Sequence, residues 1–279
     1  MKKVLLFAML FMAVLFVNCD GNSPVNQNSN GIGVFSVAPT KRVTFSPGNL
    51  QYHPKNDKWQ FAIKQTEYIG SSNFNLSSDY DGWVDLFGWS GSTASIKFGV
   101  GISGDENDYS GSFVDWGTNK IGNHAPNTWR TLTMDEWTYL LKVRDKAEIL
   151  CGVAMVYGMT GLILLPDNWT WPSGVEFKYG FHDKRGVKYY GEYQSFSAEE
   201  WAIFEKNGAV FLPAAGYREI EEGEMNIWGV QEDGLYWSAS VYKESKIWVE
   251  GILFDSREYE LTDFARYYGL SVRLVKDLQ

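Results

Sequence analysis

The sequence predicts a mixed α+β fold with a twisted antiparallel sheet core, two main helices and long loops. Two helix starts, at Thr133 and Ser197, carry a capping box in which a hydroxyl residue is followed three positions later by Glu. Around them lie short runs of β-branched and aromatic residues that end in Gly or Pro turns. Two helices, each followed by short strands, favour an α+β domain over a sandwich or a parallel α/β fold.

The N-terminus has the pattern of an export signal. Lys2 and Lys3 precede the apolar run Val4 to Val17, which is shorter than the roughly 20 residues that span a bilayer. A positive start followed by a short apolar run is typical of a secretory signal that is removed from the mature protein. We therefore predict a signal peptide over residues 1–18.

Cys19 begins the predicted mature chain. A cysteine directly after such a run resembles the bacterial lipobox, which implies that its thiol is lipidated. An ordinary signal peptide followed by an unmodified cysteine is the alternative. Residues 19–33 are polar, so they cannot bury enough apolar area to offset the entropy lost on ordering. We expect a flexible tether over residues 19–33 and a single domain with loop insertions over residues 34–279.

Strands are expected where β-branched or aromatic runs are bounded by turn residues. The runs are Val34–Val37, Arg42–Phe45, Trp59–Ile63, Val153–Tyr157, Leu162–Leu165, Ala209–Leu212, Leu235–Ser238, Ile247–Phe254 and Leu270–Val275. The segment Gly70–Asn127 is rich in Ser, Gly, Asn and Asp, and we expect long loops with some short strands there. Trp83, Phe87 and Trp89 are expected to pin this segment to the domain.

The two helices have predictable buried faces. The first places Trp137 and Leu141 on one face, and the second places Trp201 and Phe204 on one face. Gly208 provides the C-terminal stop of the second helix. Aromatic residues at helical spacing belong to the core more often than to a binding site, so both tryptophans are expected to be buried.

The charge balance restricts the partners of the protein. The whole chain carries a formal charge of −9, and removal of Lys2 and Lys3 with the signal brings the mature chain to −11. Nucleic acids and anionic lipid surfaces both require positive charge on the protein. We therefore expect no nucleic-acid partner, and membrane association only through the lipid anchor.

The C-terminal third mixes planar rings with Arg, Asp and Ser, which is the composition of a ligand surface. Aromatic faces stack on sugar rings or peptide groups, and Tyr and Arg are enriched at energetic hot spots. The candidate ligand-binding residues are Tyr217, Arg218, Trp237, Tyr242, Trp248, Asp255, Arg257, Tyr259 and Arg266. The competing interpretation is that alternate residues of these strands point inward, because a period of two buries about half of them.

The sequence marks no catalytic constellation. The histidines His53, His124 and His182 lack metal-binding spacing, and no Gly-x-Ser-x-Gly elbow is present. Cys151 lies in an apolar run and is expected to be a small core hydrophobe rather than a nucleophile. We therefore assign no catalytic residue, no metal ligand and no cofactor. A glycosidase pair of carboxylates stays open, because many acidic residues are present.

Six blocks along the chain resemble bacterial C-type-lectin-like proteins. They include the helix start W-R-T-L-T-M-D-E-W and the strand and turn F-L-P-A-A-G-Y-R, and their ranges are Phe45–Tyr52, Asp85–Trp89, Trp129–Trp137, Gly208–Arg218, Gly234–Ser240 and Tyr268–Val275. The set is similar to the Fibrobacter-type major paralogous domain of Gram-negative surface lipoproteins. It is more distantly similar to the formylglycine-generating sulfatase-modifying fold and to phage tropism-determinant lectin domains. The resemblance implies one C-type-lectin-like domain, with ligands held on a loop-rich face.

The chain departs from two groups of these relatives. No cysteine follows Cys151, so the cysteine-dependent oxidase chemistry of the formylglycine-generating proteins is not implied. The Glu-Pro-Asn or Gln-Pro-Asp and Trp-Asn-Asp motifs that hold calcium and sugar in animal C-type lectins do not occur. We predict a lipid-anchored protein of the outer membrane and cell surface that binds a glycan or a protein without catalysis, as in adhesion. The alternatives are a polysaccharide-acting hydrolase and a structural or tip subunit of a surface assembly.

Overall fold

The computed structural model describes residues 31–173, 194–221 and 223–278. The predicted signal peptide, Cys19 and most of the expected tether lie outside these ranges. At the end of that tether, the amide of Gly31 donates a hydrogen bond of 2.8 Å to the Lys206 carbonyl, so the chain already contacts the domain there. Within the three described ranges, no helix is long and apolar enough to cross a membrane.

Short strands form the framework of the described chain. They are β1 (Phe35–Ala38), β2 (Lys41–Phe45), β3 (Leu50–His53), β4 (Lys58–Phe61), β5 (Cys151–Val156), β6 (Met159–Leu164), β7 (Ser195–Phe196), β8 (Val210–Pro213), β9 (Tyr217–Glu221), β10 (Glu224–Trp228), β11 (Gly234–Val241), β12 (Trp248–Phe254), β13 (Tyr259–Ala265) and β14 (Val275–Leu278). The sheet orders are β1-β2-β14, β3-β4, β7-β5-β6-β8, β10-β9 and β11-β12-β13. All pairings are antiparallel except that of β5 with β7. With its two α-helices, the structure is mixed α+β with mostly antiparallel sheets.

The strand predictions succeed for most of the apolar runs and miss several strands that contain polar residues. All expected strands are present with shifted ends, except Leu270–Val275. There, Leu270 and Ser271 form only isolated bridges, and regular pairing begins at Val275. Besides β14, which begins at the last residue of that run, five strands were not expected, namely β3, β7, β9, β10 and β13. Strands β9, β10 and β13 carry Glu, Asn or Asp within their span, because one of their faces is not part of the core.

Helix α1 (Met134–Thr138) begins at the predicted capping box. The Thr133 hydroxyl accepts a hydrogen bond from the Glu136 amide at 3.2 Å, and the Glu136 carboxylate accepts one from the Thr133 amide at 3.0 Å. The chain then widens into one π-helical turn over Tyr139–Val143. Trp137 is fully buried, as predicted.

Helix α2 (Ala198–Lys206) begins in the same way. The Ser197 hydroxyl accepts from the Glu200 amide at 3.3 Å, and the Glu200 carboxylate accepts from the Ser197 amide at 2.8 Å. Gly208 has a φ of +87°, the left-handed conformation that ends a helix without strain at glycine. The prediction that Trp201 and Phe204 are buried is confirmed.

Buried apolar side chains form three clusters, and the sheet β11-β12-β13 separates two of them. Tyr236 and Ile252 join Trp137 in a first cluster on one face of the sheet. Trp237 and Val249 point to the other face and join a second cluster. The third cluster packs beneath α2. Alternate residues of the same strands therefore serve different cores, as the pleat of a strand requires.

The loop segment Gly70–Asn127 is packed against the second cluster. It contains single 3₁₀ turns and isolated bridges but none of the short strands that were expected. Phe87 and Trp89 are fully buried in the second cluster, and the Phe87 amide donates to the Leu270 carbonyl at 2.9 Å. Trp83 is half-buried, with its ring 5.0 Å from that of His53. The prediction that these aromatics pin the segment is confirmed for the two buried ones.

Candidate functional site

The ribbon of β9 and β10 presents one polar and aromatic face. Tyr217 is the register partner of Trp228, and Glu219 is the partner of Asn226. Residues directly opposite one another in an antiparallel pair point to the same side of the sheet. These four side chains therefore share a face, and each of them is at least partly exposed. Arg218, between the first two on β9, points to the opposite face and is buried.

A third segment extends this face. The amides and carbonyls of Arg218 and Gly269 exchange two hydrogen bonds of 2.9 and 2.8 Å, which places the neighbouring Glu219 and Tyr268 side by side. The Tyr268 hydroxyl donates a hydrogen bond to the Glu219 carboxylate. Gly269 is required for this close approach, since a Cβ there would lie 2.8 Å from Cβ of Arg218.

The partly exposed tyrosine rings at this face contact one another. Those of Tyr217 and Tyr268 are nearly parallel, with centroids 5.9 Å apart and an interplanar angle of 19°. The ring of Tyr267 meets Tyr268 edge-on, at 5.2 Å and 75°. Trp228 is 46% exposed, which is high for so large an apolar side chain. We call the four residues Tyr217, Trp228, Tyr267 and Tyr268 the aromatic surface.

The tyrosine hydroxyls of the aromatic surface stay protonated at neutral pH. Partial burial raises the pKa of Tyr217, Tyr267 and Tyr268, and the negative charge of Glu219 raises each of them further. A protonated hydroxyl both donates and accepts, whereas the carboxylate of Glu219 only accepts. Asn226 adds an amide that does both. The face therefore combines stacking area with donors and acceptors at its edge.

Three of the residues predicted to bind ligand lie in the interior. Arg218 donates to the carbonyls of Leu86 at 3.0 Å and Gly101 at 3.2 Å. The indole of Trp237 donates to the Phe87 carbonyl at 2.6 Å. Both side chains donate their hydrogen bonds to carbonyls of the loop segment. The structure therefore places neither of them on an exposed ligand surface.

Arg266 is the third interior residue. Its guanidinium donates to the carbonyls of Gly111 at 3.2 Å and Ser245 at 2.8 Å, and it lies 4.4 Å from the ring centroid of Trp89. Only 4% of the residue is exposed. It therefore joins the loop segment to the sheet, as Arg218 and Trp237 do.

The remaining predicted residues do not form one site. Trp248 begins β12 and pairs with Ala265, whereas Asp255, Arg257 and Tyr259 lie at or beyond the other end of the same ladder. A strand of seven residues spans about 20 Å, so these groups are far apart. Tyr242 is half-buried in the turn before β12, with the Lys243 ammonium 4.6 Å from its ring. Only Tyr217 of the predicted set belongs to the aromatic surface.

The residues around the β12–β13 turn are engaged with each other and with the core. The Arg257 guanidinium donates to the Asp255 carboxylate at 2.6 Å, within two residues of the chain. The Tyr259 hydroxyl donates to the Leu141 carbonyl at 3.3 Å, and its ring packs against the first cluster. This corner therefore has a structural explanation for each of its polar side chains.

Sequence reasoning missed Trp228, Glu219 and Asn226, because β9 and β10 were not expected. The readable signal is an alternation on both sides of Gly223. Tyr, Glu and Glu recur at every second position before the turn, and Glu, Asn and Trp recur after it. Period-two alternation around a glycine turn is typical of a hairpin with one solvated face.

Reactive groups are scarce in the described part of the chain. No cluster of three or more His, Cys, Asp or Glu residues that could hold a metal ion occurs there. Cys151 is buried, as predicted, and its thiol lies 3.2 Å from the Ala147 carbonyl. Burial raises the pKa of this thiol, which keeps it protonated. The arrangement on the aromatic surface is thus suited to holding a ligand by stacking and hydrogen bonding.

Comparison with known proteins does not add a relative to this picture. No protein-family model, no curated protein and no solved structure matches this chain.

Proposed function

We propose that this protein is an exported, lipid-anchored binding protein of the outer membrane and cell surface that recognises a glycan on the aromatic surface without catalysis. Its described residues are proposed to form a C-type-lectin-like domain. The observation that carries the proposal is the shared face of Tyr217, Trp228 and Tyr268, next to the Glu219 carboxylate.

The composition of this face suits a sugar. The C–H faces of a pyranose ring stack on aromatic rings, and its hydroxyls require donors and acceptors around the edge of the contact. Tyr217 on β9 and Tyr268 in the segment bridged to it offer ring area, while Glu219 and Asn226 offer acceptors and a donor beside them. Because Tyr217 and Trp228 lie on paired strands, and Gly269 after Tyr268 is hydrogen-bonded to Arg218, little backbone entropy is lost when a ligand binds.

The fold and the N-terminal pattern support the rest of the proposal. Two capped helices, small antiparallel sheets and a long packed loop segment agree with what the resemblance implies for a lectin-type domain. The block Gly208–Arg218 supplies β8 and the start of β9, and the block Gly234–Ser240 lies within β11. The signal-like run and Cys19 support export and anchoring.

A glycan array probed with the protein as the cell produces it tests the proposal. A retained glycan is then titrated against the unchanged protein and against Trp228→Ala and Trp248→Ala. The two tryptophans are matched, because they are 46% and 43% exposed and each is a terminal residue of a paired strand. We expect Trp228→Ala to weaken binding at least tenfold, or about 1.4 kcal/mol, and Trp248→Ala to leave it unchanged.

Other outcomes would contradict the proposal. Loss of binding only in Trp248→Ala would place the ligand at the β12 end of the sheet instead. If the folded protein retains no glycan but captures a protein through the same residues, the ligand is a protein and the glycan part of the proposal is wrong. Folding of each variant is checked by circular dichroism and melting temperature.

A further inference from the structure

The aromatic surface is surrounded by carboxylates from three segments of the chain. Glu219 lies within it and accepts the hydrogen bond of Tyr268. Glu221 pairs with Glu224 further along the same ribbon, and both are exposed. Two like charges directly opposite each other in a ladder destabilise it, so this pairing has a cost in the unbound protein.

The same carboxylates raise the pKa of the tyrosine hydroxyls on this surface. After burial, the groups that raise the pKa of Tyr217 are Glu219, Asp233 and Glu221. Glu219 and Glu106 act on Tyr267 in the same direction. Glu106 comes from the loop segment and Asp233 from the turn before β11, so the acidic surroundings are built by the fold and not by one stretch of sequence.

Positive charge is scarce along the stretch of chain that forms this ribbon. From Tyr217 to Val241 the sequence contains Glu or Asp at six positions and one basic residue, Arg218. Arg218 points to the opposite side of the ribbon, where its guanidinium donates to the Leu86 and Gly101 carbonyls. Its charge is therefore committed to the interior and is separated from a ligand on the aromatic surface by the backbone of β9.

We infer that the aromatic surface selects glycans with free, protonated amino groups over neutral glycans, and excludes glycans that carry carboxylate or sulfate groups. This inference rests on the proposed function and names the class of sugar. An ammonium group is attracted both by the carboxylate of Glu219 and by the faces of the tyrosine rings. An anionic sugar would have to approach Glu219 against repulsion, with no exposed arginine on this ribbon to receive it.

Binding of three oligosaccharides of equal length to the whole protein tests the inference. The probes are hexamers of glucosamine, N-acetylglucosamine and galacturonic acid, titrated calorimetrically at about pH 6, where the amine is charged. We expect the glucosamine hexamer to bind about tenfold more tightly than the acetylated one at low salt, with the ratio falling at about 0.3 M salt. The galacturonate hexamer is expected to bind least.

A charge-matched pair of variants locates the effect. Glu219→Gln keeps an acceptor for the Tyr268 hydroxyl but removes the charge, and we expect it to lose most of the preference for the amine. Glu260→Gln removes an exposed charge from β13, away from the aromatic surface, and is expected to keep the preference.

The outcomes separate this inference from the proposed function. If the amine and acetylated hexamers bind equally, and Trp228→Ala abolishes both, the proposed function stands and the inference is overturned. Tightest binding of the galacturonate hexamer also overturns it. If none of the hexamers binds and no glycan is retained on the array, both fail together.

Discussion

Two groups of Trp, Tyr and Arg side chains come from the same stretches of sequence but end in opposite environments. Tyr217 and Arg218 are neighbours on β9, and Arg266 directly precedes Tyr267. One member of each pair lies on the aromatic surface and the other in the interior. The interior group consists of Arg218, Trp237 and Arg266, and we call these residues the loop anchors.

The difference lies in what each group binds. The loop segment has few ladder partners, so many of its carbonyls must be satisfied in another way. The loop anchors supply the N–H donors, and the carbonyls that receive them are those of Leu86, Phe87, Gly101 and Gly111. Tyr217 and Tyr268 also pack against the second cluster, but both rings stay partly exposed, and that exposure is the more informative about function. Residue type alone does not separate the two roles.

The strongest test of this comparison replaces a tryptophan in each group. Trp237→Ala removes a fully buried side chain and its hydrogen bond to Phe87, and we expect a loss of about 3–5 kcal/mol in the free energy of unfolding. Trp228→Ala removes an exposed ring and is expected to cost less than about 1 kcal/mol. Denaturant unfolding measures both. Similar losses in the two variants would remove the distinction between the groups.

The next prediction concerns the buried Asp85 carboxylate, which holds part of the loop segment next to β10. This carboxylate accepts from the Ile69 amide at 2.9 Å and the Asn73 side chain at 2.8 Å. Ile69 precedes the turn Gly70–Phe74, which contains Asn73 and contacts β10. Burial raises the pKa of Asp85 to about 6. The folded protein therefore holds a proton that the unfolded chain releases, so this group favours folding at low pH and the benefit is lost as pH rises from about 4 to 6.

The matched variant is Asp85→Asn. Relative to it, the unchanged protein is expected to lose about 2 kcal/mol of unfolding free energy between about pH 4 and pH 6. Unfolding of both proteins in denaturant across this range gives the difference directly, because the other titrating groups cancel. A difference in unfolding free energy that stays constant with pH would show that burial does not raise the pKa of Asp85.

Arg218 tests whether a loop anchor stabilises through its hydrogen bonds. Arg218→Met keeps an unbranched side chain but leaves the carbonyls of Leu86 and Gly101 without their donor, and we expect it to cost about 2 kcal/mol. Arg218→Lys keeps the charge and loses the forked geometry, so we expect it to be no more stable than Arg218→Met. Thermal unfolding of both variants measures this. If Arg218→Met is as stable as the unchanged protein, the anchor role is contradicted.

Among the residues that contact a core cluster, Tyr217 has the smallest expected effect on stability. Tyr217→Ala removes a partly buried ring that packs against the second cluster, and we expect a change of about 1 kcal/mol in unfolding free energy together with a clear loss of glycan binding. Tyr217→Phe keeps the ring and is expected to keep most of the binding. A large loss of stability with unchanged binding would place Tyr217 among the structural residues.

Several elements were predictable because their signals are local. Each capping box involves atoms only three residues apart, so Thr133 and Ser197 mark the two helix starts without any knowledge of the fold. The apolar runs of β5, β6 and β12 were likewise readable. The hairpin of β9 and β10 was missed because charged residues interrupt its apolar pattern. The run Leu270–Val275 was wrongly predicted as a strand, because a buried apolar run need not pair in a regular ladder.

The sequence by itself determined the mixed α+β composition, both helix caps, the packed aromatics of the loop segment and the acidic balance of the chain. Only the tertiary structure decided which rings face outward. Burial along a strand depends on which face meets a core, and that is set by partners such as Gly269, some 50 residues away from Arg218. Tyr217 and Arg218 therefore have different environments for a reason that no local pattern contains.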